Sequence, residues 1–425
     1  MAQKGIREYD AKKLLAQHIG KLSNNRFSYS GKVELITPDK GIESVVHEKP
    51  WIGTDKLVIK PDQLFGKRGK YGLILLNATY EESKKWIEEK LNSVVTVGNT
   101  KGKLTHMLLE PFIEHDKEYY LAFAGYEGGD HIHFSSEGGV DIEANWDKVT
   151  TVNVPIDGKV EDADLSPLLY DLSKEEKDTL AELIPALFRF YREMDFGFLE
   201  YNPFTFKDDE FIPLDTVARL DDTAHYLRAV VWGDIEFPDP FGHDPEPEED
   251  YIEQMDEKSG ASLKLTILNP RGRVWTMIAG GGASVIYSDT VVDLGCGDEL
   301  ANYGEYSGNP STDETCEYAK TLLDLMTREN VEGGKVFIIG GGIANFTDVA
   351  KTFDGIIRAL EEYADKIKEN NIKIYVRRGG PNYVVGLEKI REAGKRLGLD
   401  MEVHGPELHM TKIVKIALEG LQFDE

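Results

Sequence analysis

The sequence predicts an α/β protein in two parts, the second built on a parallel sheet. Three times in its last third a short apolar run passes into consecutive glycines and then into helical periodicity. Residues 274–279 enter Gly280-Gly281-Gly282, residues 336–339 enter Gly340-Gly341-Gly342, and residues 372–376 enter Arg377-Arg378-Gly379-Gly380. Strand, turn and helix in that order read as units of a parallel sheet with crossover helices. Composition also changes after Trp232, where residues 237–250 are rich in proline and acid. That stretch predicts neither a helix nor an inner strand. The boundary is therefore set there, giving parts 1–236 and 251–425 with 237–250 as a linker.

The first part mixes helices and short strands. Residues 7–18 have helical spacing, with Ala11, Leu14, Leu15 and His18 near one face. Residues 57–60 form a strand ending in Lys60, and the basic, glycine-containing stretch 61–71 is a loop. A strand over 72–76 leads to a helix over 80–91. Residues 107–109 form a strand that breaks at Glu110-Pro111. Residues 118–126 and 131–135 read as antiparallel strands, and 174–193 as a long amphipathic helix. Residues 198–203 and 210–215 read as a hairpin turning at 207–209. In the second part helices are expected over 312–328, 348–370, 384–397 and 407–418.

Composition excludes some functions. The 425 residues suffice for two or three domains with a sizeable core. Lys and Arg number 49 against 76 Asp and Glu, a formal charge of −27. Nucleic acid and anionic membrane surfaces are poor partners for such a chain. An anionic substrate must be drawn by local positive features. Cys296 and Cys316 are the only cysteines, which is no disulfide framework and fits a reduced setting. The start lacks an apolar signal core, and no run approaches the roughly 20 apolar residues of a membrane span. A soluble, cytoplasmic protein is expected.

Several residues suit chemistry on a nucleotide and an anion. Asn202 and Asp215 lie on adjacent predicted strands, and an amide oxygen beside a carboxylate suits Mg²⁺ shared with phosphate. Lys60 and the loop containing Arg68 and Gly69 gather cations and glycines able to fold over polyphosphate, although no Walker A ending follows. The break at Pro111 to Ile113 frees backbone groups that can read an adenine edge, with Glu118 placed to accept from ribose hydroxyls. Taken singly, these features equally fit strand-end polarity, a solvated loop and an edge-strand ending. The glycine turns recur at sheet-compatible spacing, where ligands bind at the carboxyl ends of strands. Ser284, Asn345, Thr347, Arg378 and Asn382 lie in or just after them and together suit a polycarboxylate. The stretch 304–308 adds a further loop donor. None of the ten histidines sits in a glycine loop as a phosphoryl acceptor, and none has zinc-site spacing.

The residues also carry a resemblance. The first part resembles the ATP-grasp domain of succinyl-CoA synthetase β subunits, and more closely the N-terminal part of the ATP-citrate lyase family. The matching runs are 58–64, 67–70, 137–141 and 232–238. In the second part they are 258–265, 280–285, 287–290, 301–308, 344–347 and 376–383. The resemblance implies an ATP-grasp domain followed by a flavodoxin-like or Rossmann-like parallel-sheet domain of the CoA-ligase type. It implies ATP and Mg²⁺ as cofactors. Nucleotide contacts fall on Lys60, Arg68, Gly69, Pro111, Ile113 and Glu118, and metal contacts on Asn202 and Asp215. A further metal loop falls on Asp256, Ser259 and Ala261. The citrate pocket falls on Gly281, Gly282, Ser307, Gly308, Asn345, Thr347, Tyr363 and Arg378. The Asp256 loop and Tyr363 rest on the resemblance alone. So does the expected partner subunit, which would carry the phosphohistidine, the CoA-binding region and a citrate-synthase-like lyase region. The implied activity is ATP-dependent formation of citryl phosphate and citryl-CoA, cleaved on the partner to acetyl-CoA and oxaloacetate. A subunit of a citryl-CoA or succinyl-CoA synthetase, or a non-catalytic citrate- and nucleotide-sensing subunit, is the alternative.

Overall fold

In the computed structural model, which describes residues 3–139, 142–207 and 209–421, the chain divides into Met1–His243 and Asp244–Glu425. Val140, Asp141 and Asp208, in the predicted 137–141 run and the 207–209 turn, lie outside the described residues.

The first unit opens with β1 (Gln3–Ile6), α1 (Glu8–Leu22), β2 (Glu34–Ile36), α2 (Ile42–Glu48) and β3 (Leu57–Pro61). Next come β4 (Leu75–Ala78), α3 (Tyr80–Lys90), β5 (Val94–Val97), β6 (Thr100–Lys103) and β7 (Met107–Pro111). The unit continues with β8 (Tyr119–Tyr126), β9 (Gly129–Ser135), β10 (Thr150–Pro155) and α4 (Lys174–Glu193). It closes with β11 (Phe196–Lys207), β12 (Glu210–Pro213), β13 (Thr216–Asp221) and α5 (His225–Trp232). The described residues form a large antiparallel sheet ordered β1-β13-β11-β8-β9-β10, with β12 on β11, and a smaller one ordered β2-β7-β3-β4. Strand alternation decides which face is buried. Leu121, Phe123 and Leu199 point toward α1 and α4 and share a core with Leu15, Ile19, Leu183 and Leu187. Each such side chain contributes about 1.5–3 kcal/mol on burial. Phe198, Glu200 and Asn202 alternate with them along β11, and line a cavity on the other face.

The second unit contains α6 (Pro247–Lys258), β14 (Ser262–Ile267), β15 (Val274–Ala279), α7 (Gly281–Asp293), β16 (Asn302–Ser307) and α8 (Thr312–Thr327). There follow β17 (Lys335–Gly341), α9 (Val349–Glu369), β18 (Ile372–Arg377), α10 (Tyr383–Leu397), β19 (Met401–His404) and α11 (Met410–Glu419). The strands β15-β17-β18-β19 form a parallel sheet. Trp275, Met277, Phe337, Ile339, Ile374 and Val376 pack in one core cluster with α8, α9 and α10. Val274, Ile278, Val336, Ile338 and Tyr375 pack in a second with α7 and α11. Burial on both faces is why these strands read as unbroken apolar runs.

The structure corrects two local expectations. Residues 247–250 are the first turn of α6, not linker coil. Pro247 occupies a first-turn position, where its missing N–H costs no helical bond. Residues 304–307 belong to β16, paired antiparallel with β14, and are not a loop. Gly304 stays in the strand because a Cβ there would lie 2.4 Å from the Lys264 carbonyl oxygen and 2.5 Å from the Tyr318 hydroxyl. On its other side, Asn302 extends the ladder with its side chain. Its Oδ1 accepts from the Thr276 N–H and its Nδ2 donates to the Thr276 carbonyl, each at 2.9 Å.

Candidate active site

In the first unit, Lys60, Arg68, Gly69, Pro111, Ile113 and Glu118 all line a cavity of about 1320 Å³, as do Asn202 and Asp215. Lys60 ends β3, and its ammonium lies 2.8 Å from Glu8 Oε1 and 3.0 Å from Glu110 Oε1. The Arg68 guanidinium donates to Glu8 Oε2 at 2.7 Å and to the Pro61 carbonyl at 2.8 Å, and it pairs with Asp215. Lys12 completes the cluster, 2.8 Å from Glu8 and 2.6 Å from Glu110. The cations are thus fixed beside the cavity by buried acids. Ammonium and guanidinium groups held in this way need no ordering before they meet an anion.

The far wall is equally specific. The Asn202 N–H donates to the Asp215 carbonyl at 3.0 Å, which sets the two residues side by side. Asn202 Oδ1 accepts from the Gly139 N–H at 2.9 Å. An amide oxygen and one carboxylate fit Mg²⁺, which takes one or two protein ligands and completes its shell with water and phosphate oxygens. Among the described residues no group of three or more His, Cys, Asp or Glu is arranged to hold a metal. His115 joins the wall formed by Ile113 and Glu118, its Nδ1 2.8 Å from the Ile113 carbonyl and its Nε2 2.9 Å from Glu118 Oε1.

Asp62 couples this site to the start of α1. Its carboxylate accepts the Glu8 and Tyr9 N–H groups at 2.8 and 2.9 Å. Burial and the Glu8 charge push the Asp62 pKa up to about 6. Burial and the Asp62 charge push Asp10 up to about 7. Acids raised in the folded state bind protons more tightly there than in the unfolded chain. Stability from this pair is therefore full below their unfolded pKa near 4 and declines as pH rises toward 7. Asp10→Asn is expected to stabilise the chain at pH 8 by on the order of 1 kcal/mol and to flatten the pH 5–8 dependence. Urea unfolding at pH 5.5 and pH 8 checks it, and an unchanged slope between them contradicts it.

In the second unit the turns gather at the carboxyl ends of the parallel strands. Gly280 has φ 101°, a conformation that side chains rarely adopt, and it starts α7 with Gly281 and Gly282. The Ala344 N–H donates to the Gly379 carbonyl at 3.0 Å, pinning the Asn345 loop onto the Arg378 turn. Asp348 accepts from Asn382 Nδ2 at 2.8 Å, and its own N–H donates to Asn309 Oδ1 at 3.3 Å. That chain of bonds joins the Ser307-Gly308 turn, the Asn345-Thr347 loop and the Arg378 turn. Glu305, on β16, lies against Gly281: a Cβ there would meet its Oε2 at 2.9 Å.

Two adjacent arginines have different work. Arg377 donates to the carbonyls of Leu408 and Gly341 at 2.8 Å and of Pro406 at 3.3 Å. Arg378 is only 3% exposed, and the one described bond of its guanidinium is to the Gly342 carbonyl, at 2.9 Å. Its Nε is buried with no hydrogen-bond partner, as is the Tyr306 hydroxyl. No ion pair to Arg378 is present among the described residues. Burial pulls its pKa below the usual guanidinium value. A buried cation without an anion is a costly arrangement, and a bound carboxylate would relieve it.

Two sets of expected residues stand apart from these turns. Tyr363 is on α9, 14 residues beyond Val349, or about 20 Å along the helix. It lies with the Lys366 ammonium 5.1 Å from its ring centroid, and burial, then the Asp324 charge, raises its hydroxyl pKa. The structure does not bring it to Arg378. The Asp256 carboxylate accepts from the Leu263 N–H at 2.7 Å and the Lys264 ammonium at 2.5 Å, and Ser259 Oγ accepts from the Ala261 N–H at 2.9 Å. Each carboxylate oxygen thus accepts one hydrogen bond that ties α6 to β14. Sequence reasoning passed over Glu8, Lys12 and Glu200. The readable signal was Glu8 and Lys12 continuing the buried 15-19-22 stripe of α1, and Glu200 two residues before Asn202 on one strand face.

Comparison with known proteins agrees with this geometry. A family model described as ATP-citrate synthase ATP-grasp domain matches residues 2–232, and one described as ATP citrate lyase citrate-binding matches residues 243–420. The chain is 47% identical to the ATP-citrate synthase alpha chain protein 2 of Oryza sativa subsp. japonica, across 99% of both. It is 48% identical to the ATP-citrate synthase of Bos taurus, of which it spans 38%. ATP citrate lyase from Methanothrix soehngenii, solved with citrate and coenzyme A, superposes with a TM-score of 0.90 at 52% identity, covering 98% of this chain and 100% of that one. A Methanosaeta concilii ATP citrate lyase mutant, solved with (3S)-citryl-CoA, gives 0.89 at 50% identity, again over 98% and 100%. With an ATP-grasp unit and a citrate-binding unit joined in this order, the chain belongs to the ATP-citrate lyase family.

Proposed function

We propose that this chain binds Mg-ATP in its first unit and citrate in its second, and that it turns over only with a partner subunit. The observation that carries the citrate half is Arg378, buried and without an anion, where three turns converge. Citrate at neutral pH carries about three negative charges, since its carboxyls titrate in the acid range. The guanidinium would take one carboxylate in a two-point contact, and the Gly281, Gly282, Gly308, Asn345 and Thr347 turns would take the others on N–H groups and side-chain donors.

In the first unit Lys60 and Arg68 would orient the ATP phosphates, the Pro111–Ile113 backbone the adenine and Glu118 the ribose. Mg²⁺ held by Asn202 and Asp215 would offset charge on the phosphate oxygens. The γ-phosphoryl would pass to a histidine of the partner, releasing ADP, and then to a citrate carboxylate, giving citryl phosphate. The thiol of CoA, bound on the partner, would displace phosphate to give citryl-CoA, and the partner's lyase region would cleave that to acetyl-CoA and oxaloacetate. The bovine relative supports a partner, because most of its length lies outside the match to this chain. Oxaloacetate assayed with Mg-ATP, citrate and CoA tests the reading. None is expected from the purified chain alone, and turnover is expected once the partner is added. Substantial oxaloacetate from the chain alone would overturn it.

A further inference from the structure

The citrate reading leaves one group unexplained. Glu305 is a carboxylate placed among turns that should attract carboxylates. It sits on β16 two residues before Ser307, with its side chain on the face that also carries Ser262 of β14. The Ser262 hydroxyl donates to Glu305 Oε1 at 2.9 Å. Oε2 faces Gly281 at the head of α7. Among the described residues Glu305 has no cationic partner. Lys264, directly opposite on β14, gives its ammonium to Asp256 instead. Nor, among the described residues, does a hydrogen bond join its carboxylate to the first N–H groups of α7. A half-buried carboxylate held by one hydroxyl, with its other oxygen turned toward the proposed anion pocket, keeps an acceptor open to a ligand's donor.

A carboxylate can only accept hydrogen bonds. Citrate in its fully ionised form offers a single donor, the hydroxyl on its central carbon. We propose that Glu305 accepts the hydrogen bond of the substrate's hydroxyl and thereby selects hydroxy-polycarboxylates over polycarboxylates that lack it. This rests on the reading that citrate binds at the glycine turns. Arg378 supplies attraction common to any polycarboxylate, whereas Glu305 supplies discrimination. An analogue without the hydroxyl leaves Glu305 unpaired and facing another anion, and a site built around a substrate hydroxyl rejects the analogue lacking it.

The test is calorimetric titration of the intact chain with citrate and with tricarballylate, which is citrate without its hydroxyl. Wild type is expected to prefer citrate at least about tenfold, the range of one hydrogen bond to a charged group. Glu305→Gln is expected to lose about tenfold or more for citrate while holding or gaining affinity for tricarballylate, so that the preference collapses. Ser262→Ala, which frees the carboxylate without removing it, is expected to reduce the preference partway, and it keeps the test standing if Glu305→Gln misfolds. A citrate-to-tricarballylate ratio equal in wild type and the variants overturns the role of Glu305 alone. Absence of citrate binding by the wild type, with ATP still bound, overturns the underlying citrate reading as well.

Discussion

Lys12→Met is expected to destabilise the first unit by about 3–5 kcal/mol, the cost of leaving a buried charge without its partner. Lys12 is 0% exposed and bridges Glu8 and Glu110. Methionine nearly preserves its volume, so the loss reads charge rather than a cavity. Burial alone would raise the Glu8 pKa; Lys12, Lys60 and Arg68 reverse that and hold it well below the usual carboxylate value. A depressed acid stabilises above its unfolded pKa near 4.3, and that stabilisation is lost as pH falls through the folded value. Lys12 is raised in turn, burial being outweighed by Glu110 and Glu8, and its contribution persists up to its unfolded pKa near 10.4. The deficit of Lys12→Met should therefore be largest between about pH 5 and pH 10 and shrink in acid, where the stranded carboxylates take up protons. Urea midpoints of both proteins at pH 4 and pH 7.5 decide it. A deficit independent of pH would mean that the network is not what Lys12 holds together.

Arg378→Ala is expected to weaken citrate binding about ten- to a hundredfold, or roughly 1.5–3 kcal/mol for one charge-assisted contact. Arg378→Lys should recover only part, since an ammonium cannot repeat the two-point fork. The neighbouring Arg377 provides the internal contrast. Its three bonds to carbonyls of Gly341, Pro406 and Leu408 make it a brace between strand ends. Arg377→Ala should lower the unfolding temperature, whereas Arg378→Ala should leave it nearly unchanged or raise it, because an unpaired buried charge is removed. Equal citrate affinities for wild type and Arg378→Ala, both folded, would remove the arginine from the pocket.

The parallel sheet was legible because both faces of each strand are buried, and Trp275, Phe337 and Ile374 sit in uninterrupted apolar runs ending at glycines. The β16 strand was not, because Gly304 and Gly308 read as breakers while the real constraint was the crowding of Gly304 against Lys264 and Tyr318. Proline misled at Pro247 for a related reason: its effect depends on where in a helix it falls, and it falls in the first turn. Lys60, Arg68 and Asp215 were readable one by one. Their joining through Glu8 and Lys12 was not, since those residues are separated in sequence and meet only when β3, β7 and α1 pack. Tyr363, assigned by resemblance, shows the opposite limit: the shared sequence carries it, and helix length sets it far along α9 from the turns.

The Asn309–Asp348–Asn382 clasp changes what binding must accomplish. Three loops leaving different elements are tied to one another before any substrate arrives. A pocket held shut by its own protein bonds has already lost the conformational freedom that a floppy one surrenders on contact. Affinity then follows from the chemistry of the contacts rather than from how far the loops must be ordered. A substitution at Asp348 would release the three loops from one another, and on the citrate reading proposed above binding would then carry the cost of ordering them.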